Sequence, residues 1–572
     1  MTDTNLVNNQ VVASSNSQYI SIVAENGEQF NPRQKIVFNI EPEIGFIKKD
    51  SYLVFDLLNN STDKGRYTLQ KNLGASAIID RVDIYSKETG ILLESNTNYC
   101  EWLNVMNQYM YDDTTNLVNH QGCGTPIQSW THNVKTNGDV FAFRSIPSPR
   151  HIENNQLSPV SAVDTNGGLA KYTTRRFCVP LMCGLFGSYE GGMEKAIPVM
   201  NFGGLRIEIT LNAPKLALQP LGWSYVDTRA DYNAPESENL EDWVAGSTVD
   251  NDNGTDQSGT GDACVFKFTA GASVGYRKNN LQDVGLVVGN KMTWSGTDST
   301  DAAKTYTGTV SAIVGSGDVD LTLDGKVVSH NSLMSITLSG GGAGINGVKT
   351  GKLKRVLDDC NYKLSNVEFR LKQIVPPDGV ADSLMRGINY EYMGYEVFMN
   401  NIPTGSLRHQ IPIHSVASKS VATFTILHDT SNGEGENFSS ADIYNGILPD
   451  VAKVNEVVYF INNRLYPLRA YNPQNKGDRV LATNELVKSF RALGVQPANL
   501  GNADFCDLEN YTNTPLISRE LAREGMVFDL RNAEPELRLS FSGSRSNILR
   551  ANTFVFSKKI IQTTATGLQV IH

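Results

Sequence analysis

Short segments in which apolar and polar residues alternate constrain this chain more than any other feature. In LRIEITL, residues 205–211, every second residue is apolar, and Arg206, Glu208 and Thr210 stand between them. VEFRLKQIV, residues 367–375, opens with the same alternation. Because successive side chains of a strand point to opposite faces, each segment predicts a β-strand with one apolar face. A chain with many such strands buries those faces by packing one sheet on another.

Comparable segments recur along the chain between residues typical of turns. They are QKIVFNI (34–40), SYLVFDLL (51–58), IIDRVDIYS (78–86), RRFCVPLM (175–182), ATFTIL (422–427) and ELRLSFSG (536–543). The pattern in ATFTIL predicts Ala422, Phe424 and Ile426 on one face and the two intervening threonines on the other. After IIDRVDIYS, the turn SKETG leads into ILLE, which predicts a hairpin with Gly90 at positive φ.

Two short segments carry helical signals. NYCEWLNVMNQYM (98–110) has an amphipathic stripe that includes Trp102. TNELVKSFRALG (483–494) begins with the capping residues Thr483 and Asn484 and ends at a glycine. A hairpin pattern precedes each helix, so the same order of strand, turn, strand and helix occurs once in each half. This repetition predicts two similar β domains in tandem.

Each half holds about eight candidate strands with long loops, which favours jelly rolls over immunoglobulin-like sandwiches. We therefore predict a mainly β protein made of two tandem jelly-roll β-sandwiches, a double jelly roll, with few short helices. The predicted parts are a flexible N-terminal arm (1–18), a first jelly roll (19–384), and a second jelly roll with a C-terminal tail (385–572). Residues 215–357, rich in Gly, Ser, Thr, Asp and Asn, are expected to be a β-rich surface insertion in the first; a separate third domain is the alternative.

The composition limits the classes of function. The 50 basic and 60 acidic residues give a formal net charge of −10, which disfavours a protein that coats nucleic acid by neutralising phosphates. The seven cysteines are scattered, which disfavours a disulfide framework. No apolar run approaches the roughly 20 residues of a membrane helix, so no transmembrane segment is expected. The first residues also lack the pattern of a signal peptide.

Three motifs suggest ligand chemistry but lack the context that it requires. GAGING (342–347) has the glycine spacing of a dinucleotide-binding turn, but no βαβ unit surrounds it. GVKTGKLK has Leu353 where a phosphate-binding loop needs Ser or Thr. DNDNGTD (250–256) resembles a calcium loop, but Gly254 breaks the spacing and no glutamate completes the site. GAGING and DNDNGTD are predicted to be loops, and GVKTGKLK fails the phosphate-loop pattern.

The ionisable and nucleophilic residues form no recognisable site. The histidines are dispersed at positions 120, 132, 151, 330, 409, 414, 428 and 572. Cys178 and Cys183 lie in or beside an apolar strand and are predicted to be small core residues. Arg175 and Arg176 are predicted to form a salt bridge at a strand edge. We therefore expect no catalytic residue, no cofactor-binding residue, no metal ligand and no cofactor, and we expect that the chain is not an enzyme.

Four segments taken together resemble a known family. They are SAIIDRVDIYSKETGILLESNTNYCEWLNVM (76–106), RRFCVPLMCGLFG (175–187), IPVMNFGGLRIEITLNAP (197–214) and YKLSNVEFRLKQIVPP (362–377). In content and order they resemble the double jelly-roll major capsid proteins of virophages and Polinton-like viruses, within the adenovirus-type capsid lineage. The resemblance covers most of the chain outside the insertion.

The resemblance implies a structural, self-assembling protein of the virion. Such proteins form homotrimeric capsomers of pseudo-hexameric outline, which tile the icosahedral shell of a double-stranded DNA virus inside the host cell. The expected partners are further copies of the chain and, beside them, penton and minor or cement capsid proteins. No sequence-specific binding of nucleic acid is implied. The 215–357 insertion corresponds to an outward-facing tower.

Two points remain open from the sequence alone. The alternative function is a β-rich viral or cell-surface adhesin or fibre that binds a receptor or glycan through the 215–357 insertion. A fibre normally shows heptads or a short tandem repeat, and neither is present. The polar arm and the tail TTATGLQVIH (563–572) either reach a neighbouring subunit or the capsid interior, or they are frayed chain ends.

Overall fold

The protein is described from a computed structural model. The structure describes residues 16–60, 67–69, 73–110, 128–132, 143–147, 174–189, 196–220, 249–250, 263–268, 291–298, 303–314, 334–339, 348–356, 361–375, 388–430, 444, 452–462, 464–465, 470–473, 475–495, 516–521, 528–531, 533, 535–545, 548–564 and 567–572. The arm proposed at residues 1–18 lies almost entirely outside these ranges.

Strands dominate the described residues. The strands of the first part are β1 (Asn16–Val23), β2 (Gln29–Phe30), β3 (Lys35–Ile40), β4 (Phe46–Asn59), β5 (Tyr67–Leu69), β6 (Ile79–Ser86), β7 (Leu92–Asn96), β8 (Gln128–His132), β9 (Phe143–Pro147), β10 (Thr174–Pro180), β11 (Ala196–Pro198), β12 (Leu205–Leu211) and β13 (Leu218–Pro220). Those that follow are β14 (Val249–Asp250), β15 (Ala263–Phe268), β16 (Lys291–Asp298), β17 (Ala303–Val314), β18 (Met334–Ser339), β19 (Val348–Val356) and β20 (Tyr362–Val375).

The remaining strands belong to the second half of the chain. They are β21 (Asn389–Ile402), β22 (Arg408–Pro412), β23 (Ser420–Asp429), β24 (Val454–Ile461), β25 (Arg464–Leu465), β26 (Ile517–Glu520), β27 (Pro535–Phe541), β28 (Leu549–Thr564) and β29 (Gly567–Ile571). The α-helices are α1 (Tyr99–Tyr109), α2 (Pro214–Ala217) and α3 (Lys476–Ala492), and 3-10 turns occupy Pro42–Ile44, Ala75–Ile78 and Val199–Phe202.

The strand order of the first half is that of a jelly roll. One sheet has the order β1-β20-β4-β10 and the other β3-β12-β6-β7. Lettered B to I along the chain, the eight strands β1, β3, β4, β6, β7, β10, β12 and β20 give the orders B-I-D-G and C-H-E-F. These are the two four-stranded sheets that two interlocked Greek keys produce.

The second half repeats this order. Its sheets run β21-β28-β23-β26 and β22-β27-β24-β25, which again read B-I-D-G and C-H-E-F. A helix follows strand F in both halves, α1 after β7 and α3 after β25. The two tandem jelly rolls predicted from the repeated order of strand, turn, strand and helix are therefore confirmed.

A separate six-stranded antiparallel sheet of order β14-β15-β18-β17-β16-β19 lies in the chain between strands H and I of the first jelly roll. These strands fall within the 215–357 segment predicted to be a β-rich insertion in the first jelly roll. The domain limits drawn at residues 18, 384, 215 and 357 stay predictions. A two-stranded ladder, β8 with β9, similarly lies between strands F and G.

The core of the first jelly roll forms as the alternation predicts. Ile207 and Ile209 of β12 are fully buried, whereas Arg206 between its apolar neighbours is exposed. Across the sandwich, the rings of Phe38 (β3) and Phe369 (β20) lie 5.6 Å apart between centroids. The inward apolar residues of both sheets thus meet in one cluster, as facing sheets require.

The segment ATFTIL of the second jelly roll has the two opposed faces that its pattern predicts. Its apolar face, with Phe424, points out of the sandwich into a cluster with the two helices, while the threonines point inward. The Thr423 hydroxyl donates to the Tyr459 hydroxyl (3.2 Å) inside the sandwich, and the threonines at 425 and 553 bond to each other (2.9 Å). Both faces of β23 are therefore buried, because helices cover the outer face.

Local signals predicted the turns and helices with one error. Gly90 has φ +70° in the β6–β7 turn, and α1 occupies the expected segment. The predicted start of the second helix at Thr483 and Asn484 was wrong, since α3 begins at Lys476. The helical turns before Thr483 form because Ala482 packs on the core of the second jelly roll. This packing outweighs the weak capping signal at Thr483 and Asn484.

The C-terminal tail is neither frayed nor extended away from the chain in this structure. Gly567–Ile571 folds back as β29 on the end of β28. The carbonyl oxygen of His572 accepts hydrogen bonds from the backbone N–H (3.2 Å) and the hydroxyl (2.5 Å) of Ser418. The tail is thus paired with β28 in a sheet of the second jelly roll.

Removing the Ile207 side chain tests the first core. We expect Ile207→Ala to lower the free energy of unfolding by about 2–5 kcal/mol, because it removes buried apolar atoms and leaves a cavity in the core. Urea unfolding followed by circular dichroism measures the change. Thr210→Ala, on the outer face of the same strand, is the control and is expected to cost less than about 1 kcal/mol. Equal losses in the two variants would contradict the assigned strand faces.

Candidate functional site

The two jelly rolls meet along a seam that α1 builds. Asn98, which precedes α1, has a left-handed backbone conformation (φ 52°) and turns the chain from β7 into the helix. One side of α1, including Tyr99 and Leu103, packs in the core of the first jelly roll. The other side joins a second cluster with residues of β21, β23, β28 and α3. The helix therefore belongs to both jelly rolls.

Trp102 is the centre of this cluster. Its ring lies against four aromatic rings of the second jelly roll, at centroid distances of 6.4, 5.2, 5.4 and 4.5 Å from Tyr395, Phe424, Phe554 and Phe556. Phe490 of α3 covers the same sheet, 5.0 Å from the ring of Phe424. Aromatic clusters of this kind carry a large share of interface energy.

A buried polar group lies next to the aromatic cluster. The Glu101 carboxylate of α1 lies 2.5 Å from Nε2 of His428 on β23. It also accepts hydrogen bonds from the amides of Asn552 on β28 (2.8 Å) and Asn98 (3.0 Å). Glu101, His428 and Asn552 are all buried. One carboxylate of the first jelly roll thus fixes two strands of the second.

A second buried carboxylate, Glu94 of β7, organises the close approach of the two backbones. It accepts hydrogen bonds from the N–H groups of Gly184 (2.6 Å) and Leu185 (2.7 Å). A Cβ atom on Gly184 would lie 1.8 Å from the carbonyl oxygen of Met393 on β21, so only glycine fits at this position. Burial raises the pKa of Glu94, and burial lowers the pKa of the nearby Lys559.

Three tyrosines of β21 fasten the second jelly roll to the backbone of the first. The hydroxyls of Tyr390, Tyr392 and Tyr395 donate to carbonyl oxygens at positions 185, 93 and 97 respectively. Burial raises the pKa values of Tyr392 and Tyr395 well above the usual range, so both remain donors at neutral pH. The seam therefore combines apolar packing with directional bonds.

The outer face of the first B-I-D-G sheet is different. We call this surface, which carries Tyr19, Val23, Arg176, Glu368 and Arg370, the first outer face. Tyr19 is 61% and Val23 is 70% exposed. Arg176 lies 3.7 Å from the carboxylates of both Asp56 and Glu368, which confirms the salt bridge predicted for this strand edge. The equivalent face of the second jelly roll is the one that α1 and α3 bury.

The residues that suggested ligand chemistry are not brought together where the structure describes them. GAGING lies outside the described residues, and only Asp250 of the calcium-like loop lies within them. Cys183 is buried as predicted, whereas Cys178 is only partly buried on the first sheet. Among the described residues, no three His, Cys, Asp or Glu side chains form a group that could hold a metal ion. The expectation of no enzyme activity stays a prediction.

None of the helices in the described part of the chain has both the length and the apolar character needed to cross a membrane.

Sequence reasoning missed the residues that join the jelly rolls. Glu101 and His428 are 327 positions apart, and neither stands in a motif that marks a partner. Gly184 follows β10 in the chain, yet its contact is with a backbone more than 200 positions away. The signals that were present, Trp102 in an amphipathic stripe and glycine in CGLFG, indicate burial but not the partner.

The strand orders and the seam define this chain as a double jelly-roll protein. No family model matches the chain, and no curated protein matches its sequence. A quasi-atomic model of the PBCV-1 virus capsid is similar at 8% identity, covering 98% of this chain and 97% of that chain, with a TM-score of 0.45. The Faustovirus major capsid protein is similar at 10% identity (96% and 90% covered, TM-score 0.47).

The structure of the Sputnik virophage is similar at 8% identity, covering 97% of this chain and 88% of that chain, with a TM-score of 0.43. With similarity this low, the double jelly roll rests on the strand order of the chain itself. The double jelly-roll fold that the family resemblance implies is confirmed by this strand order.

Truncation of Trp102 tests the seam. We expect Trp102→Ala to lower the free energy of unfolding by about 3–5 kcal/mol, because it empties the centre of an aromatic cluster. Differential scanning calorimetry should show the loss and a separation of the two jelly rolls into distinct transitions. Val416→Ala, at a residue that is 63% exposed, serves as the control and should leave the melting profile unchanged. A single unshifted transition for Trp102→Ala would contradict the role of this side chain.

Addition of one methyl group at Gly184 tests the close approach. Gly184→Ala is expected to cost at least about 1–3 kcal/mol, because the new Cβ overlaps the Met393 carbonyl and the seam has to open. Thermal unfolding and limited proteolysis between the jelly rolls measure this. Gly405→Ala is the matched control, since a Cβ there meets nothing within 4 Å. Comparable stability of the two variants would show that the backbones do not approach this closely.

Proposed function

We propose that this chain is a major capsid protein that self-assembles into homotrimeric, pseudo-hexameric capsomers of an icosahedral virus with a double-stranded DNA genome. The observation that carries the proposal is the exact repetition of the B-I-D-G and C-H-E-F strand orders in one chain. Two equivalent units per chain give six units per trimer, which is the number that a hexagonal tile requires.

The seam supplies a pattern that neighbouring copies could repeat. Within the chain, the helix after strand F of the first jelly roll lies on the outer B-I-D-G face of the second. A closed ring of three chains needs a heterologous contact in which one surface of each copy meets a different surface of the next. An equivalent contact between copies would join two different surfaces. The side of the second jelly roll that carries α3 would pack on the first outer face of the next copy.

The two surfaces named by this proposal are both exposed. Val480 of α3 is 54% exposed, and Leu481 beside it is also exposed, although both are apolar helix residues. On the first outer face, Tyr19 and Val23 add exposed apolar area among charged side chains. Adjacent apolar groups on a surface are typical of a contact with another protein chain.

Further parts of the proposal concern the assembled shell. Lateral contacts would join the trimers, and penton and minor or cement proteins would close the shell, which places the protein in the virion. The 215–357 insertion would project as a tower. A β-rich adhesin or fibre that binds a receptor or glycan through that insertion is the competing function.

Negative-stain electron microscopy combined with mass determination on the purified chain tests the proposal. Compact particles of three times the 62.7-kDa chain mass, with hexagonal outlines, or closed shells are expected. Monomers or long thin rods at micromolar concentration would instead support the adhesin or fibre.

Charge introduced on α3 tests the contact between copies. Val480→Glu combined with Leu481→Glu should convert trimers to monomers, because two carboxylates would be desolvated in the contact. Val416→Glu, at a residue that is 63% exposed and lies outside both surfaces, is the matched control and should remain trimeric. Trimers of unchanged stability in the α3 variant would show that a different surface joins the copies, while leaving the trimer itself intact.

A further inference from the structure

A cavity of about 470 Å³ opens on the second jelly roll, away from the seam. Its polar lining comes from Arg408 of β22, Asn455 and Glu456 of β24, Ser540 of β27, and Asp478 of α3. The volume lies within the roughly 300–1,000 Å³ typical of small-molecule sites. None of the predicted motifs and none of the assembly contacts proposed above uses this cavity.

An irregularity in β24 builds the floor of the cavity. The register between β24 and β27 shifts between Val454 and Glu456, so Asn455 is the extra residue of a β-bulge. A bulge re-aims side chains, and here the side chains of both Asn455 and Glu456 line the cavity. Ser540 is the cross-strand partner of Arg408 on one side and of Glu456 on the other.

The wall of the cavity is held by backbone bonds. Tyr471 lies beside β24 and exchanges two hydrogen bonds with Val457, at 2.9 and 3.3 Å. The next residue, Asn472, donates its N–H to the carboxylate of Asp478 (3.1 Å) at the start of α3. Three separate parts of the chain are thereby fixed around one concave surface, which is the preorganisation that a binding site needs.

The lining presents acceptors and a donor side by side. The Asn455 side chain lines the cavity with an amide, which both donates and accepts hydrogen bonds. Glu456 uses Oε2 to accept from the Ser540 hydroxyl (2.8 Å). Arg408 has several N–H groups to donate. A ligand that fits this lining both donates and accepts hydrogen bonds.

We propose that this cavity binds a neutral sugar residue of a glycan. Each sugar hydroxyl offers one donor and two acceptor lone pairs, as a serine hydroxyl does, and adjacent hydroxyls match the Asn455, Glu456 and Arg408 groups. The two carboxylates outnumber the one guanidinium, which disfavours phosphates and other anions. The site differs from the glycan-binding alternative considered above, which used the 215–357 insertion, and it does not depend on the capsid proposal.

Saturation-transfer NMR with the full chain tests the site. The probes are the methyl glycosides of glucose, galactose, mannose and N-acetylglucosamine at millimolar concentration. At least one should receive saturation, and its affinity should fall about tenfold in Asn455→Ala and in Arg408→Gln, the loss expected for one hydrogen bond in a polar site. Arg464→Gln is the matched control, since this arginine lies exposed on the same sheet at β25 and outside the cavity.

Three results would overturn the proposal. The first is the absence of saturation transfer to any of the four glycosides. The second is transfer that persists unchanged in Asn455→Ala and Arg408→Gln. The third is saturation transfer to spermidine or methylguanidinium without any transfer to the sugars, which would make the cavity a cation site. Circular dichroism of each variant confirms that it is folded, so a lost signal reports binding.

Discussion

The insertion of Trp102 into the aromatic face of the second jelly roll is the contact on which the rest of the structure depends. A B-I-D-G sheet with Phe424, Phe554 and Phe556 on its outer face cannot stand exposed to water, because burial of each ring contributes several kcal/mol. Two helices cover this face, and one of them, α1, belongs to the other jelly roll. The two sandwiches are therefore one cooperative structure, and neither has a complete surface without the other.

This dependence explains where sequence reasoning succeeded and where it failed. Alternation predicts the strands and even the jelly-roll pair, because the pattern in residues 205–211 records a local property, the side of the strand that is buried. Alternation does not record what covers that side. In residues 422–427 the apolar face packs on two helices, and the threonines face the opposite sheet. The alternation therefore predicts the two faces correctly, but not what each face contacts. Long-range partners such as Glu101 and His428 leave no periodic signal at all.

The polar groups at the seam add specificity that the aromatic cluster lacks. Aromatic packing tolerates small shifts, but the carboxylates of Glu101 and Glu94 are buried and each needs several donors in place. Leaving either one unpaired costs more than a well-paired group contributes. The Glu101 carboxylate keeps its donors only where β23 and β28 place His428 and Asn552 against the first jelly roll. Polar groups thus determine how the two jelly rolls are positioned at the seam, and apolar groups determine how strongly they are held together.

The two outer B-I-D-G faces occupy equivalent places and have opposite chemistry. The face inside the chain is aromatic, because it is covered as soon as the chain folds and never meets water. The first outer face mixes Tyr19 and Val23 with the ion pairs around Arg176, a composition suited to a surface that is hydrated before it meets a partner. A chain that covers one such face with its own helix and leaves the equivalent face polar has the asymmetry that a heterologous ring needs. In the trimer that we propose, this face would stay hydrated until a neighbouring copy covers it.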